Sequence, residues 1–257
     1  MKEALKAFDR LLTIMDELRA GCPWDRKQTL ESIRYLTIEE TYELSDAILD
    51  QDKDAVCGEL GDLLLHIVFY AKIGSETGDF DITTVIDRIC DKLIKRHPHI
   101  YGDVSVSNAE QVKNNWEKIK LKSGARGVLA GVPVSLPAMV KAFRIQEKVR
   151  GVGFDWENTE QVREKVWEEW NELEYEVEKG TDPERVEHEF GDLLFALINY
   201  SRFIQVNPED ALERTNKKFI RRFQYMEKKA ETEGRRLQDM TLAEMDVWWN
   251  EAKAQEH

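Results

Sequence analysis

The chain contains one segment twice, and this internal repeat restricts the possible folds more than any other feature of the sequence. Residues 59–72 read ELGDLLLHIVFYAK and residues 189–202 read EFGDLLFALINYSR, with Glu, Gly, Asp, Leu, Leu and Tyr at matching positions and no gap. Apolar residues elsewhere recur at three- and four-residue spacing, as in Leu5, Phe8 and Leu12, which is typical of helices rather than strands. The repeat therefore predicts an all-α chain built from two similar helical units.

An acidic EExxE pattern precedes each copy of the repeated segment. The two EExxE patterns are 129 residues apart and the two repeated segments are 130 residues apart, so the patterns repeat nearly in register. Residues three or four positions apart share one face of a helix, so each EExxE and each ExxD pattern presents its carboxylates together. The acids concerned are Glu39, Glu40, Glu43, Glu59 and Asp62 in the first copy, and Glu168, Glu169, Glu172, Glu189 and Asp192 in the second.

These acids predict a metal site in each copy. Two helices joined by a short connection run antiparallel, so the EExxE and ExxD patterns can meet. Clustered carboxylates repel one another, and a hard divalent cation with oxygen ligands relieves that repulsion. A single EExxE pattern in a chain with 50 acidic residues is more often a solvated surface. Two copies in register, with acids inside otherwise apolar helices, favour a metal, and Mg²⁺ is the obvious ion because it keeps positions for phosphate oxygens.

The remaining composition excludes several other classes of protein. No histidine has a glutamate three residues before it, as a di-iron carboxylate bundle would require, and no GxxxxGK[ST] loop of a P-loop enzyme is present. The formal charge of −13 disfavours nucleic acid polymers and anionic membranes as partners. Three cysteines without CxxC spacing, and the lack of a signal peptide or long apolar span, predict a reduced, cytoplasmic chain.

Glycine and proline mark a boundary between the two halves. Residues 123–137, SGARGVLAGVPVSLP, hold three glycines and two prolines and lack helical periodicity. We therefore expect a first repeat at 1–122, a linker at 123–137 and a second repeat at 138–257. Helices predicted at 61–73 and 191–204 are apolar nearly all round, more than one small repeat can cover, so we expect a homodimer with these helices in a four-helix-bundle core.

The EExxE pattern, followed after 15 or 16 residues by ExxD, is similar to the motif of the MazG and all-α NTP pyrophosphohydrolases. The segments GCPWDRKQT and GVLAGVPVSLPAMVKAFRIQEKVRGVGFDW also resemble MazG segments. The resemblance implies helical repeats that dimerise and Mg²⁺ as cofactor, with Mn²⁺ able to substitute. It also implies hydrolysis of NTPs and dNTPs to nucleoside monophosphate and pyrophosphate, as in the house-cleaning of nucleotide pools.

Carried over residue by residue, the resemblance gives each candidate in the second repeat a role. Metal binding falls to Glu169, Glu172, Glu189 and Asp192, with Glu168 beside them. Either Glu169 or Glu172 would orient the attacking water. The phosphate contacts would be Arg185, Lys218 and Arg222, and Trp249 would offer its indole to the base with Lys253 nearby. Each basic residue could equally form an ordinary surface pair, and Trp249 could be a core residue.

The first repeat contains most of the same parts. Lys92 and Arg96 correspond to Lys218 and Arg222, and Trp116 with Lys120 corresponds to Trp249 with Lys253, but Ala55 stands where the second repeat has Arg185. Because one phosphate contact is missing, we expect the first metal site to be the weaker one and the second repeat to be the principal catalytic site.

Two alternatives to a general pyrophosphohydrolase remain open from the sequence. A narrower dUTP- or dCTP-type pyrophosphatase would carry the same motifs, because nothing in the sequence encodes recognition of a particular base. A non-catalytic helical scaffold is the alternative from another class, although intact acids in both repeats argue against it.

Overall fold

The structure is a computed structural model that describes residues 2–108, 111–112, 115, 119, 127–180 and 182–256. Within these ranges all regular structure is helical and no strand occurs, which confirms the prediction of an all-α fold. The chain divides into two compact units, Met1–Val112 and Lys113–His257. This division precedes the predicted linker, and the boundaries proposed from the sequence stay a prediction. No helix in the described part is long and apolar enough to cross a bilayer.

The first unit is a helical hairpin with further helices packed on one of its arms. Its helices are α1 (Lys2–Gly21), α2 (Arg34–Leu49), α3 (Lys53–Thr77), α4 (Ile82–Arg96) and the short α5 (Pro98–Tyr101). The long helix α3 contacts α1, α2 and α4. Its first turn is capped by Asp52, whose carboxylate accepts hydrogen bonds from the amides of Asp54 and Ala55. The core consists of Met15, Ile33, Val68, Phe69 and Ile73.

The second unit contains the same kind of hairpin, with one described α-helix before it and two after it. Its helices are α6 (Ala138–Arg150), α7 (Thr159–Lys179), α8 (Pro183–Phe203), α9 (Pro208–Thr232) and α10 (Leu242–Ala254). The most extensive contact joins α7 to α8, while α6 packs on α8 and α9 packs on α10. A buried cluster of Met226, Ala230, Met240 and Trp248 forms part of the core between α9 and α10.

A tight connection sets the α7–α8 hairpin. Gly180 ends α7 with φ of 62°, a left-handed conformation that glycine adopts without the strain of a side chain. Asp182 then caps α8 by accepting a hydrogen bond from the amide of Glu184, and Pro183 occupies the first turn. Because the connection is so short, α7 and α8 run antiparallel and the carboxylates of the two helices come to one place.

Candidate active site

In the second repeat, three of the predicted metal ligands meet between α7 and α8. One carboxylate oxygen from each of Glu169, Glu172 and Glu189 lies within 4.8 Å of the other two. Glu169 is buried, Glu189 is half-buried and Glu172 is exposed, so the group opens toward solvent. Asp192, one turn further along α8, lies outside this group. The oxygens are close enough to share one ion.

An open pocket of about 410 Å³ lies over these acids. Its walls are formed by Glu168, Asn171, Glu172, Tyr175, Glu176 and Glu189. Five of these six residues are on α7, where they lie along one side of the helix at spacings of three to four residues, and the sixth, Glu189, is on α8.

The charges in the second cluster are only partly compensated. Loss of surrounding water, together with the neighbouring charges of Glu169 and Glu189, raises the pKa of Glu172, while Lys165 lowers it. The Lys165 ammonium lies 2.7 Å from a Glu169 oxygen and 2.9 Å from a Glu168 oxygen. Hydrogen bonds to these two carboxylates raise the pKa of Lys165. Lys165 was not among the residues predicted from the sequence, although its spacing of four from Glu169 was a usable signal.

The first repeat builds a second cluster of the same kind. Glu40 and Glu43 on α2 and Glu59 on α3 each place an oxygen within 4.8 Å of the others. Burial and the nearby charge of Asp62 raise the pKa of Glu40, and a hydrogen bond to Glu59 favours its protonated form further. Glu39 is exposed on α2 and, like Asp62, lies outside the group of three.

Both clusters suit a hard divalent cation. Their ligand atoms are carboxylate oxygens, the donors that Mg²⁺ and Mn²⁺ prefer, and in each cluster burial and neighbouring carboxylates raise the pKa of one member, Glu40 or Glu172. Within the described ranges, these are the two groups of acids, histidines or cysteines with ligand-like spacing. One difference between the clusters is that the position matching Lys165 is Leu36, so the first cluster has no lysine there.

Arg185, one turn before Glu189, lies beside Glu176, which is one of the residues that line the acidic pocket. Its side chain is 62% exposed, with Nη1 3.9 Å from a Glu176 oxygen and Nε 3.8 Å from an Asp182 oxygen. The guanidinium is therefore held on the protein side by two carboxylates and is open to an anion on the other side.

The other predicted substrate contacts form a separate group on α9 and α10. The Arg222 guanidinium lies 5.4 Å from the centre of the Trp249 ring, which also contacts Phe219 at 5.0 Å. Trp249 is half-buried against the second core cluster, so it is a packing residue with one accessible part. Lys218 is half-buried on α9 and Lys253 is exposed on α10. Trp116 and Lys120, their expected first-repeat counterparts, lie outside the described residues.

The Arg222 guanidinium already binds a carboxylate of the chain, that of Glu256. Nη2 and Nε of Arg222 donate to one Glu256 oxygen at 2.5 and 3.1 Å, and Arg221 lies 3.8 Å from the other oxygen. These cations, with Lys218 contributing, lower the pKa of Glu256. A separate pocket of about 490 Å³ lies between α9 and α10. It is lined by Arg221, Arg222, Tyr225, Ala252, Gln255 and Glu256. The described lining of the acidic pocket includes none of the α9 and α10 candidates.

Comparisons with known proteins agree with the repeat. Residues 28–101 and 157–226 each match the family model of the MazG nucleotide pyrophosphohydrolase domain. The chain is 42% identical to a nucleoside triphosphate pyrophosphohydrolase of Escherichia coli (strain K12), over 98% of this chain and 99% of that protein. It is 45% identical to the nucleoside triphosphate pyrophosphohydrolase/pyrophosphatase MazG of Thermotoga maritima, over 98% of each chain. A crystal structure of a mazG-related protein from Thermotoga maritima aligns with a TM-score of 0.40 at 24% identity, covering 44% of this chain and 98% of that one.

Proposed function

The chain belongs to the MazG nucleotide pyrophosphohydrolase family, and from this premise we propose that it hydrolyses nucleoside triphosphates to nucleoside monophosphate and pyrophosphate with Mg²⁺ bound at the second cluster. The observation that carries the proposal is the meeting of Glu169, Glu172 and Glu189 within 4.8 Å in a pocket open to solvent. Family membership and the enzymatic names of full-length relatives set aside the non-catalytic scaffold.

The second cluster provides the ligands that such an ion needs. Glu169, Glu172 and Glu189 would hold Mg²⁺, with Asp192 and Glu168 as the neighbouring acids that the resemblance adds. Bound Mg²⁺ would neutralise phosphate charge and draw electron density from the phosphorus. Mn²⁺ accepts the same oxygen ligands and would substitute. The Glu40, Glu43 and Glu59 group would hold a second, weaker site.

The chain's own residues would then position the two reactants. Glu169 or Glu172 accepts a hydrogen bond from a water molecule and orients it toward the α-phosphorus. The water oxygen forms a bond to that phosphorus as the bond to the bridging oxygen breaks, and pyrophosphate leaves with the electron pair. Arg185 contacts the phosphates from the pocket edge, and Lys218 and Arg222 are the further phosphate contacts, for which phosphate competes with Glu256. Trp249 offers its accessible ring edge to the base.

We expect a broad substrate range, suited to house-cleaning of nucleotide pools. In the described lining of the acidic pocket, the Asn171 carboxamide and the Tyr175 hydroxyl each offer both a donor and an acceptor, and neither group is specific to a single base. The narrower alternative, a dUTP- or dCTP-type enzyme, is tested by a panel of ribo- and deoxyribonucleoside triphosphates with Mg²⁺, scored for pyrophosphate. Comparable kcat/KM values across bases support the broad range, and activity on one pyrimidine alone would establish the alternative. A cytoplasmic location is part of this proposal and is supported by three unpaired thiols, Cys22, Cys57 and Cys90.

The homodimer is supported by an apolar stripe that both repeats expose. On α3, Leu60, Leu64 and Ile67 are exposed, and the residues 130 positions later, Phe190, Leu194 and Leu197 on α8, are exposed as well. Residues spaced by four and three lie on one face of a helix, so each stripe is continuous. An apolar face of this kind is stabilised when a partner removes it from water, and a second copy of the chain offers the matching surface.

A glycine beside each stripe supports the same arrangement. Gly61 and Gly191 occupy helix interiors, where glycine costs about 1 kcal/mol relative to alanine, yet an added Cβ at either position would meet no atom within 4 Å. Nothing within the described chain therefore requires glycine at these positions. The close approach of a helix from a partner chain would require it, because a side chain would then have no space.

We expect the purified protein to be a dimer by light scattering at micromolar concentration, and a monomeric mass would refute the arrangement. Gly191→Ala should raise the monomer fraction, because the added methyl group would enter the partner's space. Gly58→Ala is the matched control: Gly58 is also an open helix-interior glycine, but His188 replaces it in the second repeat. It should leave the mass unchanged. If Gly191→Ala stabilises the protein and remains dimeric, the glycine is not at the interface.

A further inference from the structure

An ion pair joins α7 to α8 one helical turn beyond the second acidic cluster. An oxygen of Glu176 lies 3.9 Å from Nη1 of Arg185 and 4.0 Å from the ammonium of Lys179. The Glu176 side chain is buried, whereas that of Arg185 is 62% exposed. Glu176 also lines the same pocket as Glu172 and Glu189. The pair thus connects the interior of the hairpin to the mouth of the pocket.

The first repeat lacks both members of this pair. Ala47 occupies the position matching Glu176, by the offset of 129 that relates the EExxE patterns, and Ala55 occupies the position matching Arg185, by the offset of 130. The acids of the cluster are nevertheless retained in both repeats. Ala47 is buried, and α2 and α3 pack closely around it. The helical hairpin therefore forms without the ion pair. Of the two repeats, only the second has the pair, beside its acidic pocket.

Burial of the Glu176 carboxylate is energetically unfavourable if the residue serves only to pack the two helices together. Its second oxygen is shielded from solvent and has no hydrogen-bond partner among the described residues. A buried carboxylate with an unpaired oxygen destabilises a fold, and alanine fills the same place in the first repeat at no such cost. A carboxylate here is explained if it acts on a cation that it faces, and of the two beside it, Lys179 is on its own helix whereas Arg185 is on α8, one turn before Glu189.

We infer that Glu176 is a positioning residue that holds Arg185 over the pocket to contact the phosphates of a bound triphosphate. This inference rests on the proposed function, because it takes the Glu169–Glu172–Glu189 cluster as the place where the triphosphate binds. Arg185 is four residues, or about 6 Å along the helix, from Glu189, a distance that a triphosphate chain bound at the cluster spans. An arginine on the surface loses mobility on binding, and a buried partner reduces that loss by ordering it beforehand.

The direction in which KM changes in Glu176→Gln distinguishes this positioning role from a purely electrostatic effect of the charge. Glu176→Gln removes a negative charge beside an anion-binding pocket, so charge alone would lower KM for a nucleoside triphosphate. If Glu176 orders Arg185, KM should instead rise, by about 5- to 20-fold, while kcat stays within about twofold. Arg185→Gln should raise KM at least as much. The double variant should be no worse than Arg185→Gln, because Glu176 would act through the arginine.

Two further variants separate positioning from folding. Glu178→Gln removes an exposed acid from the same helix and should leave KM unchanged. Glu176→Asp keeps the carboxylate and should restore part of the affinity lost in Glu176→Gln. A Glu176→Gln protein whose melting temperature changes while KM stays the same, or whose KM falls, would overturn the inference. Additive effects in the double variant would overturn it as well.

Calorimetric titration with inorganic tripolyphosphate and Mg²⁺ supplies a readout that does not depend on turnover. Arg185→Gln should weaken this binding at least as much as Glu176→Gln does, and Glu178→Gln should leave it unchanged. If the native protein binds tripolyphosphate with this pattern but cleaves no nucleotide, the proposed function fails while the positioning role stands. If it cleaves nucleotides but the variants bind tripolyphosphate like the native protein, the positioning role fails alone.

Discussion

Glu172→Ala should reduce turnover by at least about 100-fold, whereas Glu43→Ala should leave most of it. Removing one group that stabilises charge in a transition state commonly has an effect of this size. The equivalent change in the first repeat should matter little, because that repeat has Ala55 in place of Arg185. Loss of one charge-assisted contact is worth about 1.5–3 kcal/mol, or roughly 10- to 150-fold in binding.

The structure adds a second difference between the repeats. Lys165 lies on Glu168 and Glu169 in the second repeat, and Leu36 stands at the matching place in the first. Both mutants should be compared at saturating Mg²⁺, with circular dichroism to confirm an unchanged helical content. If Glu43→Ala is the more damaging change, the assignment of the repeats is reversed. Equal losses in the two mutants would mean that the sites are equivalent and that Arg185 does not distinguish them.

Removal of divalent metal should abolish turnover completely and reversibly. Three carboxylate oxygens within 4.8 Å of one another repel both each other and an incoming triphosphate unless a cation lies among them. Excess EDTA should therefore stop pyrophosphate release, and added Mg²⁺ or Mn²⁺ should restore it. Undiminished turnover in EDTA would contradict the metal assignment.

A binding measurement provides the control for this experiment. Mg²⁺ with nucleotide should raise the melting temperature of the native protein by mass action, since both bind the folded state. The same addition should raise it much less in Glu172→Ala, which lacks one of the ligands. An equal rise in both proteins would show that the ion binds elsewhere.

Local features of the chain are the part of the fold that a sequence specifies best. Asp182, Asn207 and Thr241 cap α8, α9 and α10 by accepting hydrogen bonds from amides in the next turn, and such caps need no tertiary partner. The proximity of Glu169, Glu172 and Glu189 could also be predicted from the sequence, because helix periodicity and a short connection between the helices determine it together.

Contacts that depend on the choice of one side-chain partner among several were not predicted. Arg222 was expected to face phosphate, and in the structure it binds Glu256, which lies 34 residues further along the chain. The burial of Glu176 was also missed, because its EExxExxxE continuation reads as one more acid on an acidic helix. Both outcomes follow from packing between helices, which local periodicity does not specify.

Helix starts are set by caps rather than by apolar periodicity. The apolar runs at 61–73 and 191–204 cover only part of each helix, because α3 begins at Lys53 after the cap Asp52 and α8 begins at Pro183 after the cap Asp182. The extra turns matter for the site, since they carry Glu59, Arg185 and Glu189. Apolar periodicity alone therefore underestimated the segment that holds the functional groups.

The central claim is that water attacks the α-phosphorus of a triphosphate bound at the second cluster, and the position of a labelled oxygen tests it most directly. Hydrolysis of a nucleoside triphosphate in ¹⁸O-labelled water with Mg²⁺ should place the label in the nucleoside monophosphate and leave the pyrophosphate unlabelled, as read by mass spectrometry. Label in pyrophosphate would mean attack at the β-phosphorus. Release of labelled orthophosphate with nucleoside diphosphate would mean attack at the γ-phosphorus, and either result would contradict the account.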